Sequence, residues 1–324
     1  MTAQRRRSHD RHALEADLDV RKPGTGDSLR LTDLMRAGPL EITDLLWKYD
    51  GEGQREPVLR DGTVEVLQAR GQQRAARIVG RLPATAAGEL DPAAMDALGL
   101  RIHAELQRLG EELQLWHRTV ALITELLEQL PSAQSGTLRL VDVGCGTGHV
   151  LRSIAYHRAL PDEVELVGVD LNPLLVAEAR RLASAEGLSC RFVAGDAFAA
   201  DGVIDDGRRT VVISTGLLHH LGPEELVNFF AGHTRRQVAA FAHWDIAPCT
   251  WSTLGAWMFH QARMREPISR HDGVLSARRA HPAAVLLDAV QEGAPSYAAE
   301  VREGPRWYPR ALDVLRPLVG VAAP

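Results

Sequence analysis

The sequence predicts an α/β fold, a doubly wound, mostly parallel seven-stranded sheet preceded by a mainly helical N-terminal region. Three observations carry that expectation. From residue 137 onward, short apolar runs alternate with helix-length stretches, the rhythm of parallel strands joined by right-handed crossovers. Between residues 28 and 130 the apolar residues recur instead every three and four positions, the period of helices. The first apolar run of the alternating part ends in Gly144, Gly146 and Gly148, and glycines so spaced let a strand turn sharply beneath a ligand.

Taken in order, residues 1–27 are polar and charge-rich, with Pro23, Gly24 and Gly26 near their end, and are expected to be a disordered tail. Arg5, Arg6 and Arg7 belong to that solvated tail rather than to a nucleic-acid site. Residues 57–66 resemble a small hairpin around Asp61-Gly62. Asp91-Pro92 starts a helix, an acid at the N-cap and proline at the first helical position. Beyond it Leu98, Ile102, Leu106, Leu109, Leu113, Trp116, Val120, Ile123 and Leu127 define one long amphipathic helix or two in tandem, with Gly110 as the natural break. Strands are expected at 138–143, 164–169, 190–193, 210–214 and 238–242, with helices at 148–159, 173–186 and 223–236. The last third adds helices near 251–265 and 281–291 and closing strands near 296–302 and 313–320. The chain thus divides into a tail (1–27), a helical region (28–135) and a sheet domain (136–324) with a cap segment near 244–281.

The 324 residues are enough for a sizeable core, and 45% hydrophobic with 24% charged residues is ordinary for a globular protein. A net charge of −5 offers no general attraction to nucleic acid or anionic lipid. No apolar run is long enough to span a bilayer, and Met1 to Arg7 and beyond lack the apolar stretch of a secretory signal, so a cytoplasmic location is expected. Cys145, Cys190 and Cys249 form neither a disulfide framework nor a metal motif. Lys22 and Lys48 are the only lysines, a bias read as GC-rich and bacterial, and neither lies near the motifs that follow.

Ligands in such sheets bind at the carboxyl ends of the strands. Asp142 stands there before the glycine turn, Asp170 ends the second strand, and Asp196 follows the third in Gly195-Asp196-Ala197-Phe198. A carboxylate at Asp170 can accept both hydroxyls of a ribose, and a lone acid after an apolar strand is poorly explained by packing. Asp196 can accept from an exocyclic amine, and Phe198 can pack on a purine; Asp142 and Asp196 can equally be turn or capping acids. A nicotinamide dehydrogenase would place a third glycine where His149 stands.

With these three signatures in order over 137–243, the sequence resembles the class I S-adenosylmethionine-dependent methyltransferases, whose Rossmann-like fold is the one expected above. The resemblance implies S-adenosylmethionine as cofactor. Gly144, Gly146 and Gly148 would approach its methionine portion and Asp142 its amine. Asp170 would bind the ribose, Leu171 would flank the adenine, and Asp196 with Ala197 or Phe198 would hold its edge; Cys145 and Thr215 complete the set.

The fourth strand runs into Leu217-Leu218-His219-His220-Leu221. It resembles the small-molecule branch of the family, and an Asn-Pro-Pro-Tyr motif of nucleic-acid amine methylation is absent. Methyl transfer asks the protein mainly to align an acceptor and take its proton, and His219, His220 and His243 are the candidate bases, since neutral imidazole accepts a proton near neutral pH. Either of the first two can instead pack under the sheet edge or cap the helix at Pro223. His243 and Asp245 offer two groups, too few for a metal site, so no metal is expected. Trp251, Leu254, Met258 and Phe259 form a stripe that is either core or a substrate lid, and Trp116-His117-Arg118 either reaches the cofactor carboxylate or is a plain helix face. The expected reaction is O- or C-methylation of a small, apolar or aromatic metabolite, of the secondary-metabolism kind, without nucleic acid or membrane and with a homodimer through the N-terminal helices. The alternatives are non-methylating chemistry, redox or decarboxylation, on the same fold, and a cofactor-binding scaffold without turnover.

Overall fold

The computed structural model describes residues 39–50, 54–130, 138–198, 201–204, 208–248, 252–302 and 315–323. The expected tail at 1–27, together with Trp251 and Cys249, lies outside them.

The described chain begins with a short helix α1 (Thr43–Leu46), a two-residue hairpin of β1 (Lys48–Tyr49) and β2 (Arg55–Glu56), and helices α2 (Arg60–Ala69) and α3 (Gln73–Val79). Helix α4 (Pro92–Glu112) opens as its sequence dictates: Asp91 accepts the backbone N–H of Ala94 at 2.7 Å, with Pro92 inside the first turn. Helix α5 (Leu115–Gln129) follows after a left-handed Gln114. The tandem helices therefore break at Gln114 and not at Gly110. Gly110 lies inside α4 as a close contact, where an added Cβ would lie 3.2 Å from the His149 ring.

The hairpin expected around Asp61-Gly62 is instead the start of α2. Residues 57–59 do pair, but with 88–90: Leu90 N–H donates to Val58 at 2.8 Å, and Leu59 bridges Glu89. Asp61 then sits in the first turn of the helix, where a negative charge meets the positive end of the macrodipole, and Leu67 is fully enclosed in the core.

The sheet consists of β3 (Arg139–Val143), β4 (Glu165–Asp170), β5 (Cys190–Ala194), β6 (Thr210–Thr215), β7 (Ala240–Ile246), β8 (Tyr297–Val301) and β9 (Leu315–Ala322). Its order is β5-β4-β3-β6-β7-β9-β8, parallel except for β9, which runs antiparallel to both neighbours. The order reverses between β3 and β6, and there the ends of β3, β4 and β6 open a crevice. Alternation splits the core between the two faces. Val141, Val143, Val167, Val169 and Val212 pack toward α8 (Asp201–Ile204), α9 (Pro223–Arg235) and α12 (Ala283–Gly293). Leu140, Leu166, Val211 and Ile213 pack with α5, α6 (His149–Tyr156) and α7 (Pro173–Ala185).

The apolar stripe of α5 thus belongs to the sheet's own core, although the domain boundary was expected after it at 135. A third core joins α1–α4 and includes Ile268 of the cap segment. That segment holds α10 (Ser252–Arg263) and α11 (Pro267–Arg279), of which the sequence predicts only the first. Helix α11 is anchored by a buried acid on α4, since Glu105 accepts the backbone N–H of Arg265 at 2.6 Å and of Glu266 at 3.2 Å. Leu254 and Met258 of α10 are exposed, Met258 by 54%, so these members of the expected stripe are not core. Arg118, finally, donates to the Leu315 carbonyl at 3.1 Å and lies 4.6 Å over the Trp244 ring, on the sheet face covered by α5 and near the carboxyl end of β7. Among the described residues no helix is long and apolar enough to cross a membrane.

Candidate functional site

The crevice floor is the turn after β3. Gly144, Gly146 and Gly148 all take positive φ (71°, 55° and 72°), a region L side chains avoid. The turn is tied to the next strand by Gly144 N–H donating to Val169 at 2.8 Å and Gly146 N–H donating to Asp170 Oδ2 at 2.8 Å. The glycines answer different needs. At Gly148 an added Cβ would lie 2.3 Å from Phe192, inside the core, so this glycine serves packing of the turn on the sheet. At Gly146 it would meet the His103 ring at 3.0 Å, and at Gly144 Leu217 at 3.4 Å.

Asp142 is 1% exposed, and its Oδ1 has no hydrogen-bond partner. Burial, with the nearby Asp170 carboxylate, pushes its pKa up to about 8. An orphaned carboxylate oxygen beside a glycine turn is a costly feature that a bound ammonium group would relieve. Asp170 uses one oxygen on Gly146 N–H and the other on Asn172 N–H at 2.9 Å. It therefore builds the turn, while each oxygen keeps a lone pair for a ligand hydroxyl. Burial raises its pKa, and these two bonds and His103 oppose that. Leu171, next in sequence, is 48% exposed, an apolar surface at the lip of the crevice. Asp196 accepts the backbone N–H of Phe198 at 2.9 Å, and Phe198 meets Phe229 edge-on at 5.9 Å. Ala197 and Phe198 pack against the adjacent core. Cys145 donates weakly to Gly146 O, and burial holds its thiol well above the usual range. Thr215 ends β6 half-buried.

Two groups near this turn carried no sequence signal. His103 of α4, whose Nδ1 faces the Gly99 carbonyl at 3.0 Å, stands over Gly146. The Tyr49 hydroxyl is pushed up to about 12 by burial, with Asp170 among the charges acting on it. Both come from the N-terminal region, and only folding brings them to the turn.

Across the crevice, the 3-10 turn Leu218–His220 follows β6. Asp245, near the end of β7, accepts from His219 twice: from the backbone N–H at 2.9 Å (Oδ2) and from the ring Nδ1 at 2.7 Å (Oδ1). Both residues are buried. Burial alone would raise the Asp245 pKa; His219 and the N–H groups of Ile246 and His219 bring it below the ordinary value. His220 Nδ1 lies 3.3 Å from Asp44 and 3.8 Å from Glu41. Burial opposes charge on His220, yet these two acids lift its pKa to about 9. Arg279 of α11 joins them, 2.5 Å from Asp44 and 3.7 Å from Glu41.

His243 is not part of this site. It is fully enclosed, and its hydrogen bonds can be assigned completely. His233 Nδ1–H donates to the Phe229 carbonyl at 2.9 Å, so His233 Nε2 must accept from His243 Nε2–H at 3.2 Å. His243 Nδ1 then accepts from Ser214 Oγ at 2.9 Å. Burial depresses both imidazoles, His233 to about 4. With both nitrogens spent inside an aromatic core, His243 is a neutral packing residue. Alternation along β7 turns it to the opposite face from Trp244.

Residues 140–236 match the family described as a methyltransferase domain. Among solved structures, the plantazolicin methyltransferase BamL, in complex with a triazolic desmethyl analogue and S-adenosylhomocysteine, superposes with a TM-score of 0.50 at 9% identity, over 68% of this chain and 91% of that one, a likeness of fold. A CurJ carbon methyltransferase (15% identity, 91% of each chain, TM-score 0.48) and the magnesium protoporphyrin IX methyltransferase of Synechocystis PCC 6803 (18%, 82% of this chain and 99% of that one, 0.43) are more distant in shape. No curated protein sequence matches the chain. Residues 140–236 thus carry a methyltransferase domain, set in a sheet of the class I, Rossmann-like methyltransferase fold.

Proposed function

We propose that the protein methylates an oxygen or carbon atom of a small, apolar or aromatic metabolite, with His219 taking the acceptor's proton. The observation that carries this reading is the grip of Asp245 on His219. A carboxylate on Nδ1 fixes the tautomer with its proton there, leaves Nε2 as the acceptor nitrogen, and stabilises the imidazolium formed when a proton arrives. Asp245 is then a positioning residue, and its second bond, from the His219 backbone, keeps the ring from swinging away. His220 and its two acids serve as neighbours of this dyad rather than as the base, because a nitrogen held protonated near neutral pH cannot accept.

S-adenosylmethionine supplies an already activated methyl group. On the cofactor side, Asp142 would bind the donor's ammonium, Asp170 the ribose, Leu171 with Asp196, Ala197 and Phe198 the adenine, and Gly144, Cys145, Gly146, Gly148 and Thr215 would border the methionine portion. Helix α10, which follows β7 in the sequence and exposes Leu254, Trp257 and Met258, is assigned the role of acceptor lid. The finer expectations of a cytoplasmic bacterial enzyme of secondary metabolism, paired through its N-terminal helices, belong to the same reading.

The test is methyl transfer from labelled donor to small-molecule extracts. Wild type should yield labelled product, and His219→Ala should retain cofactor affinity while losing activity. Full activity in the folded His219→Ala variant would remove the assignment.

A further inference from the structure

Glu41, His219 and His220 each present one ligand atom, and the three atoms lie within 4.8 Å of one another. Donor atoms of a tetrahedral ion with bonds of about 2.1 Å lie roughly 3.4 Å apart, so the side chains would close by about 1 Å to share one coordination sphere. We propose that these three residues form a binding site for a divalent transition-metal ion of the zinc or cobalt kind.

A carboxylate and two imidazoles form a donor set suited to such ions. The surroundings are those of supported ligands. Metal-bound histidines commonly have the other ring nitrogen held by a carboxylate. Here Asp245 holds His219 Nδ1 at 2.7 Å, which leaves Nε2 for an ion, and His220 turns Nδ1 toward both Glu41, at 3.8 Å, and Asp44, at 3.3 Å. Glu41 is 2% exposed and doubly supported. Ser276 donates to its Oε1 at 3.0 Å. Asp272 of α11 clamps the backbone just after it, accepting from Ile42 N–H at 3.0 Å and Thr43 N–H at 2.9 Å. The charge balance points the same way. Glu41, Asp44, Asp245 and Asp272 converge on this volume, faced by Arg279, which is ion-paired with Asp44 and 3.7 Å from Glu41, and by the protonated His220, whose proton a bound ion would replace.

Occupancy has a consequence that rests on the proposed base. An ion on the free nitrogen of His219 occupies the lone pair that would receive the acceptor's proton, so the metal-loaded and proton-accepting states exclude each other. The metal site would therefore be an inhibitory control built into the acceptor side.

The experiment is titration of the full chain, stripped with chelator, with Co²⁺ alone, read by visible absorption. One equivalent should give a low-symmetry d–d band that Zn²⁺ displaces. X-ray absorption of the cobalt-loaded wild type should show nitrogen and oxygen ligands without sulfur. Glu41→Gln and His220→Asn should each weaken cobalt at least tenfold, and Asp44→Asn about tenfold. No band in folded wild type, sulfur in the coordination sphere, or unchanged affinity in both folded ligand variants would overturn the site. Activity in excess chelator tests the base separately. Cobalt binding with an active His219→Ala variant leaves the metal site standing and removes the base. Activity lost in His219→Ala with no cobalt band does the reverse.

Discussion

The two sides of the crevice are built on different principles. The proposed cofactor side takes all of its expected residues but Thr215 from one short stretch, 142–198, in which each acid stands at or after the end of one of three neighbouring strands, and their spacing is the spacing of the fold itself. The acceptor side gathers residues 41–44, 219–220, 245 and 272–279. These lie on four separate elements and meet only because the N-terminal segment is held between the 3-10 turn and α11. A site that a parallel sheet generates locally can be shared by many chains. A site assembled from distant segments is where one chain differs from another, and acceptor choice would reside there.

The sharpest way to break this comparison is His219→Ala. It should lower the rate by about 10²–10⁴ and leave cofactor affinity unchanged; calorimetry that finds the cofactor also weakened would mean the two sides are one. Asp170→Ala is the mirror image. Loss of charge-assisted bonds worth about 1.5–3 kcal/mol each should lower cofactor affinity by at least an order of magnitude. Because Asp170 also holds Gly146 and Asn172, Asp170→Asn, which keeps one accepting oxygen, should lose less.

Gly148→Ala should cost about 1–3 kcal/mol of stability, since its methyl would run into Phe192 in a left-handed turn. Denaturant melts would read it, and an unperturbed midpoint would contradict the packing role.

Asp142 supplies a pH prediction. Its pKa is raised, from an ordinary value of about 3.9 to about 8, so the ligand-free chain should lose stability from this group as pH rises between those two values. Binding an ammonium favours the carboxylate, so cofactor affinity should rise over the same interval with release of a proton. Asp142→Asn should flatten both slopes, and calorimetry in buffers of different ionisation enthalpy would count the proton.

The smallest stability effect belongs to Met258→Ala on the exposed face of α10, within about 0.5 kcal/mol. A raised acceptor KM at unchanged melting temperature would support the lid, and unchanged KM would withdraw it.

The central strands and the acids at their ends were legible because burial on both faces forces continuous apolar runs, and a lone Asp after such a run stands out. His219 was legible from its position after the fourth strand. Its separation from His243 was not, since both are histidines near a strand end; the alternation that turns His243 into the aromatic core is a property of the packed sheet. The false hairpin at Asp61-Gly62 has a similar origin. The local turn signal was real, but residues 57–59 found a better partner at 88–90.

By itself, then, the sequence determined the sheet, its crossovers and the cofactor turn, because strand period, glycine conformation and helix capping act over a few residues. Only the tertiary structure decided that Glu41 and Asp44 face His220, that His103 and Tyr49 border the glycine turn, and that Arg279 is drawn among buried acids. Those pairings join residues up to 235 positions apart. No local pattern encodes them; they arise because the N-terminal core and α11 pack together and carry their charges inward.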